Sequence, residues 1–215
     1  SALKAEDSGH DSDIDREGFF EDLDEDLEEF LAIKPWVGST VPPTVPPLGV
    51  PTPPEMKLEL EHVYGFRSKD VRNNLFYNAN GSVVYHAAQI GIIYDKGNHM
   101  QQFYNKHCSG DIISLTVSPC GQYAASGDEG SRPTIHIWSA LNGHAICVLP
   151  QYHRRAIGLI SFSSDGKHLI TIGQDNNHTH AIYTSLSGSW ADPFLQATAK
   201  GSRLKTLFTS FIPHG

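Results

Sequence analysis

The second half of the chain alternates apolar and polar residues in short runs that are separated by turn residues. Ile113, Leu115 and Val117 fall on one face of such a run, and Ile160 and Phe162 are their counterparts in a later run. A period of two predicts β-strands rather than helices. The predicted strands cover residues 112–117, 123–127, 134–138, 144–149, 157–162, 168–172 and 179–183, with a weaker one at 193–197.

The strand pattern repeats after 45 residues. This spacing separates three pairs of matching residues: Gly121 and Gly166, Trp138 and Tyr183, and Gly143 and Gly188. A repeat of roughly 40–45 residues with four short strands is typical of a WD-repeat propeller blade. The pattern therefore predicts an all-β fold, a partial WD-repeat type β-propeller of about two to three blades.

The repeat departs from the usual WD signature. The Gly-His pair ahead of the first strand is absent, although His107 and His153 lie near its position. The Trp-Asp pair is replaced by Trp138-Ser139 and by Tyr183-Thr184. In a standard blade, His and Asp form a buried polar network. We therefore expect this network to be eroded here and the blades to depend more on apolar packing.

The last eight residues resemble the first strand and turn of another blade. Phe211 aligns with Val117, and Gly215 aligns with Gly121. We expect the sequence to stop inside a further blade and to be a piece of a longer polypeptide, because a lone first strand cannot bury its faces.

The N-terminal quarter has a different composition. Between Ala5 and Phe30 there are 13 acidic residues and one basic residue, whereas from Glu55 onward 13 basic residues face 11 acidic ones. Residues 1–33 are predicted to be an acidic disordered segment with a candidate amphipathic helix near its end. Residues 34–57 are predicted to be a proline-rich linker in the polyproline II conformation. The body then divides into residues 58–104 and the WD-type blades of residues 105–215.

Several classes of function are disfavoured by the sequence. The three cysteines form no metal-binding or disulfide framework, and no apolar run is long enough for a signal core or a membrane span, which predicts a soluble intracellular protein. No nucleophile elbow, P-loop or Rossmann glycine motif is present, so we expect no catalysis and no cofactor. His178 and His180 lie two residues apart but lack further ligands, so we expect no metal site.

The stretch from Leu58 to Asp95 resembles the hydrophobic motif of the echinoderm microtubule-associated protein-like family. The matching residues are Val63, Tyr64, Gly65, Arg67, Arg72, Asn73, Asn74, Leu75, Val84, Tyr85 and the apolar run that ends at Tyr94. The resemblance extends over about residues 30–215 and is nearest to members with tandem propellers. It implies that the motif supplies β structure that helps to close the propeller.

The polar residues of this motif have an expected structural role. Arg67 and Arg72 each offer five donors in a fixed geometry, suited to holding several loop carbonyls. Asn73 and Asn74 are suited to satisfying turn backbone. We therefore expect Tyr64, Gly65 and these four residues to build the fold rather than to contact a ligand.

The resemblance implies a microtubule-associated scaffold that binds tubulin or microtubules. Tubulin has an acidic surface, so basic residues are the expected contacts: Arg154, Arg155, Lys200, Arg203 and Lys205, with Lys96 and Lys106 as weaker candidates. The basic segment and coiled coil that precede the propeller in strongly binding members are not seen in this sequence, and the acidic segment is hypothesised to cover a basic patch instead.

The resemblance also bears on partners and location. Other cytoskeletal or axonemal proteins are expected as partners, with neither nucleic acid nor membrane among them. The expected location is the cytoplasm and cytoskeleton, including the axoneme of the cilium. The alternative from a different class is a generic WD-repeat interaction scaffold that does not touch tubulin.

Overall fold

The computed structural model describes residues 41, 43–46, 49, 55–204 and 206–212. The chain divides between Lys57 and Leu58 into two units. The predicted acidic helix, most of the proline run and Lys205 lie outside the described residues.

The second unit contains three four-stranded antiparallel sheets, which confirms the predicted all-β, WD-type fold. The first sheet consists of β1 (Phe76–Tyr77), β2 (Val83–Ala87), β3 (Ile90–Asp95) and β4 (Met100–Tyr104). The second consists of β5 (Ile112–Val117), β6 (Tyr123–Asp128), β7 (Ile135–Ser139) and β8 (Ala145–Val148). The third consists of β9 (Ile157–Phe162), β10 (His168–Gly173), β11 (His180–Thr184) and β12 (Phe194–Ala199).

Each sheet is a meander in which consecutive strands are hydrogen-bonded neighbours, as expected of a propeller blade. The first strands of the sheets lie side by side. In the second and third sheets β5 packs against β9, and in the first sheet both β1 and β2 pack against β5. The described residues contain no helix, and therefore none long and apolar enough to cross a membrane.

The 45-residue repeat corresponds to a repeated backbone geometry. Gly121 and Gly166 close the hairpins β5–β6 and β9–β10 with φ values of 70° and 69°. This left-handed conformation favours glycine, because a side chain would clash with the backbone there. The matched glycines therefore set the strand registers of two successive blades.

The connections between strands gather on two opposite edges of the unit. The connections that follow odd-numbered strands lie on one edge, which we call the turn edge. The connections that follow even-numbered strands lie on the opposite edge, which we call the loop edge. On the turn edge, Ala79 N donates to Gly121 O at 3.0 Å. On the loop edge, Gly130 N donates to Arg155 O at 2.6 Å, which links the second blade to the third.

The first two blades meet around Trp138, which is fully buried. Its ring stacks on Tyr104, with the ring centroids 5.1 Å apart and the planes 3° from parallel. Gly91, which pairs with Tyr104 between β3 and β4, lies against the same indole ring, and a Cβ atom added there would be 2.7 Å from Cζ2 of Trp138. The absence of a side chain at position 91 thus permits the first sheet to approach the indole ring.

The expectation of an eroded polar network is wrong for the second blade. Trp138 Nε1 donates to Ser126 Oγ at 3.0 Å, and Ser126 Oγ lies 2.7 Å from His107 Nε2. His107 Nδ1 lies 3.0 Å from Asp128 Oδ2, and both side chains are fully buried. The serine hydroxyl connects the indole to the imidazole, so the network persists without the Gly-His and Trp-Asp pairs.

The third blade contains a related network in which threonines serve as the connecting groups. His153 Nδ1 lies 2.9 Å from Thr179 Oγ1, which donates to Asp175 Oδ2 at 2.5 Å. His153 Nε2 lies 2.7 Å from Thr171 Oγ1. Tyr183 takes the place of the indole and donates to Pro150 O at 2.8 Å. The polar network is thus modified in this blade, not lost.

Candidate binding surface on the loop edge

Basic residues are distributed unevenly between the two edges. The charged residues between positions 62 and 204 show this distribution. Nine Lys and Arg residues and five Asp and Glu residues lie on the loop edge or in the segment ahead of β1, which packs on that edge. The turn edge carries two lysines, Lys96 and Lys167, with three aspartates. The loop edge therefore presents a net positive charge, which favours association with acidic surfaces.

Four of the five basic residues predicted to face tubulin lie on the loop edge. Arg154 and Arg155 lie in the connection β8–β9, and Lys200 and Arg203 follow β12; all four are exposed. Lys205, the fifth, lies outside the described residues.

The β10–β11 connection ties these two basic loops together. Arg155 Nη1 donates to Asn176 Oδ1 at 2.9 Å. His178 Nδ1 donates to Ser202 O at 3.2 Å. The basic loops are thereby held on one surface, although nearly 50 residues of sequence separate them.

Three polar residues near this surface have positive φ values although they are not glycine. The angles are 53° at Asn73, 70° at Arg155 and 42° at His178. Such backbone costs roughly 1–3 kcal/mol per residue and is found frequently at functional sites. Asparagine tolerates this conformation well, whereas a long side chain such as that of Arg155 does not.

Arg67 organises the segment ahead of β1. Its Nε and Nη2 donate to the two carboxylate oxygens of Asp70 at 2.8 and 2.7 Å. Its Nη1 donates to Asp111 Oδ2 at 2.9 Å, and Glu129 Oε1 lies 3.7 Å from Nη2. The hydrogen bonds to Asp70 raise the pKa of Arg67, and the same bonds lower the pKa of Asp70 to about 2. The side chain of Arg67 is only 12% exposed, so its guanidinium group is committed to these carboxylates.

The other polar residues of the segment divide into two groups. Asn74 is buried and its Nδ2 donates to Arg67 O at 2.5 Å, as a structural residue would. Tyr64, Gly65, Arg72 and Asn73 are exposed. The expectation that Arg72 binds loop carbonyls is wrong, because its guanidinium group forms no hydrogen bond or ion pair with the other described residues. Arg67, for its part, holds carboxylates rather than carbonyls.

A cleft of about 370 Å³ opens beside Arg72 on the loop edge. Its polar lining includes Arg72, Asn73, Gln174 and His178. Its apolar lining includes Val71, Ile113, Leu159, Ile172 and Leu207. The cleft brings together segments roughly 100 residues apart in sequence, so no local pattern predicted it.

His107, Asp128 and His136 place three potential metal-ligand atoms within 4.8 Å of one another. His136 Nδ1, however, lies 2.6 Å from the Tyr104 hydroxyl, and His136 Nε2 lies 3.0 Å from Thr134 Oγ1. Both nitrogens of His107 are also hydrogen-bonded, as described above. Burial lowers the pKa of His136 to about 4, which keeps the ring neutral. Hydrogen bonds therefore account for this cluster without a metal ion.

Comparison with known proteins agrees with the resemblance expected from the sequence. The HELP motif family model matches residues 53–92, which include all six motif residues predicted above. The chain is 28% identical over 202 residues to the ciliary WD repeat-containing protein ctxp80 of Euplotoides octocarinatus, covering 85% of this chain and 27% of that protein.

Two further relatives are echinoderm microtubule-associated protein-like proteins. The identity is 30% over 141 residues with protein 1 of Rattus norvegicus, covering 60% of this chain and 17% of that protein. It is 29% over 171 residues with protein 2 of Mus musculus, covering 74% of this chain and 25% of that protein. The expected similarity to this family is confirmed, and the chain spans about a quarter or less of the length of these curated relatives.

Proposed function

We propose that this chain, which carries a HELP motif followed by WD-type blades, is part of a non-enzymatic microtubule-associated scaffold. We propose further that it contacts microtubules or tubulin through the loop edge. The names of its relatives support association with microtubules and cilia. We therefore propose the cytoskeleton and the axoneme as its location. Other proteins of these structures are the proposed further partners.

The observation that carries this proposal is the concentration of exposed bases on the loop edge. Arg154, Arg155, Lys200 and Arg203 are exposed, and the Asn176–His178 turn joins their loops. Tubulin is acidic, and complementary charge increases the rate and specificity of association. A rigid blade framework suits this role, because it holds binding loops in fixed positions.

A scaffold that binds other proteins without touching tubulin is the second candidate. Exposed apolar side chains on the first blade and on the segment ahead of it favour this candidate: Tyr64 is 89% exposed, Leu75 59% and Tyr77 64%. A surface depression of about 450 Å³ is lined by Phe66, Leu75 and Tyr85 among others. Apolar surface of this kind is typical of protein interfaces.

Co-sedimentation of the full chain with taxol-stabilised microtubules tests the first proposal, with a salt series to measure the ionic contribution. The expected result is binding at low salt that weakens steadily as salt screens the charges. Size-exclusion chromatography with unassembled tubulin tests binding to the dimer. Absence of binding in both assays would overturn the proposal and leave the tubulin-independent scaffold.

A further inference from the structure

We propose that the cleft beside Arg72 is a binding site for an extended partner peptide in which acidic and apolar side chains alternate. The inference rests on the proposed function, because it specifies which part of the loop edge holds the partner. It adds that the partner must carry apolar side chains, which charge attraction alone does not require.

Arg72 differs from Arg67 in its ion pairs. Its neighbour Arg67 is neutralised by the carboxylates of Asp70 and Asp111, with Glu129 nearby. Arg72 is exposed at the mouth of the cleft and forms no ion pair with the other described residues. Its five donors are therefore available to a carboxylate that approaches from outside, which a guanidinium group can hold through two parallel hydrogen bonds.

The apolar lining of the cleft supports the apolar side chains of the proposed peptide. Val71 and Ile113 are less than 10% exposed and form a small apolar cluster with Ala156, and Ile172 also lines the cleft. Leu207 also borders the cleft but is 82% exposed, so much of its surface remains in contact with water. An apolar side chain that packs against Leu207 would therefore remove apolar surface from water on both partners, whereas Val71 and Ile113 are already shielded and form the floor of the contact.

The charges around the cleft limit where a bound peptide can carry acidic residues. Asp70 and Glu129 line the cleft near Arg67, whereas Arg155 is bonded to Asn176, two positions along the chain from the lining residue Gln174. A peptide with acids at every position would be repelled by the carboxylates. A peptide whose acids alternate with apolar residues can place its acids at Arg72 and Arg155 and its apolar groups in the cleft.

The backbone conformation of the cleft walls fits this assignment. Asn73 and His178 line the cleft, and both have positive φ values. The hydrogen bond from His178 Nδ1 to Ser202 O keeps one wall in place. A site whose walls are fixed before binding loses less conformational entropy when a peptide enters.

Fluorescence anisotropy with the full chain tests the inference. The probe is a fluorescein-labelled peptide in which glutamate alternates with leucine, and the comparison peptide carries serine in place of each leucine. We expect the leucine peptide to bind about fivefold more tightly, because of the apolar lining. We expect Arg72→Ala to weaken its binding about tenfold, as the loss of a charge-assisted hydrogen bond does.

The matched control is Arg132→Ala, which removes one exposed arginine from the β6–β7 connection on the same edge. It should weaken binding no more than about twofold, because only the long-range charge changes. Equal losses in the two variants, equal affinity for the two peptides, or no binding of either peptide would each overturn the inference.

Microtubule co-sedimentation of the same samples separates this inference from the proposed function. If microtubules bind normally while the peptide results contradict the cleft, the inference fails and the proposed function stands. If the unmodified chain fails to bind microtubules and tubulin, the proposed function fails, and specific binding of the leucine peptide would still support the cleft.

Discussion

Arg67 Nη1 lies 2.9 Å from Asp111 Oδ2, although 44 positions separate the two residues in sequence. The bond joins the segment ahead of the first blade to the loop that leads into the second. The same guanidinium group is bonded to both oxygens of Asp70. One side chain within the HELP motif thus fixes the position of an extended segment relative to two blades.

Replacing this side chain by alanine is expected to destabilise the fold. Arg67→Ala removes three charge-assisted hydrogen bonds from a guanidinium group that is largely shielded from water, and we expect a loss of about 2 kcal/mol in the free energy of unfolding. Arg72→Ala is the matched control and should change it by less than about 0.5 kcal/mol, because Arg72 is exposed. Urea denaturation of the full chain measures both, and equal effects would contradict the structural role of Arg67.

The buried network of the second blade gives another prediction. Ser126→Ala leaves Trp138 Nε1 and His107 Nε2 without the hydroxyl that connects them, in a fully buried position. We expect a loss of about 2 kcal/mol in the free energy of unfolding, because buried polar groups without partners are costly. Ser164→Ala, at an exposed position, should have almost no effect. A Ser126→Ala chain as stable as the Ser164→Ala chain would show that apolar packing alone supports the blade.

This network shows where reasoning from the sequence succeeded and where it failed. The 45-residue spacing located the strands of two blades, because strand alternation and turn glycines are local signals. The network was missed because His107 and Ser126 lie outside the dipeptides that usually mark it. Which side chains meet is decided by packing between strands.

The same limit applies to the candidate site. The basic loops were found because Arg154-Arg155 and the residues around Arg203 are clustered in sequence. The exposure of Arg72 was not predicted. Val71 and Asn74 on either side of the Arg72-Asn73 pair are buried, so the sequence alone does not show that these two residues face the solvent. The cleft depends on strands from two blades and a distant segment, so it needed the fold itself.

Three buried histidines predict how stability depends on pH. Burial lowers the pKa of His86, His136 and His153 to about 4, below the ordinary value of 6.5. Between these two values the unfolded chain binds protons that the folded chain does not. The free energy of unfolding is therefore highest above pH 6.5 and falls as the pH drops towards 4. The slope is at most about 1.4 kcal/mol per pH unit for each histidine. Urea denaturation at a series of pH values measures it.

His86 allows a sharper version of this test. Its ring is fully buried, and neither nitrogen has a hydrogen-bond partner among the described residues. His86→Leu should reduce the slope of the free energy of unfolding against pH between pH 6.5 and 4. The reduction should equal the contribution of one of the three histidines. An unchanged slope in His86→Leu would contradict the assignment of a neutral buried imidazole at position 86.

Gly91 tests how closely the first two blades pack. A Cβ atom at this position would lie 2.7 Å from Cζ2 of the fully buried Trp138. Gly91→Ala is expected to cost about 1–3 kcal/mol, because the indole ring or the strand must move. Gly97→Ala is the control, since it lies on an exposed turn and its Cβ would approach only to 3.3 Å of Asp95 Oδ1. Thermal unfolding compares the two, and a Gly91→Ala chain with an unchanged midpoint would show that the blades are not in close contact there.

The assignment of the loop edge as the microtubule-facing surface is tested most directly by two variants that each lose two positive charges. Lys200→Ala/Arg203→Ala removes them from the loop edge, and Lys96→Ala/Lys167→Ala removes them from the turn edge. Co-sedimentation with microtubules at low salt is predicted to show affinity reduced about fivefold in the first variant and nearly unchanged in the second. Equal affinities in the two variants, or a larger loss in the turn-edge variant, would contradict the account.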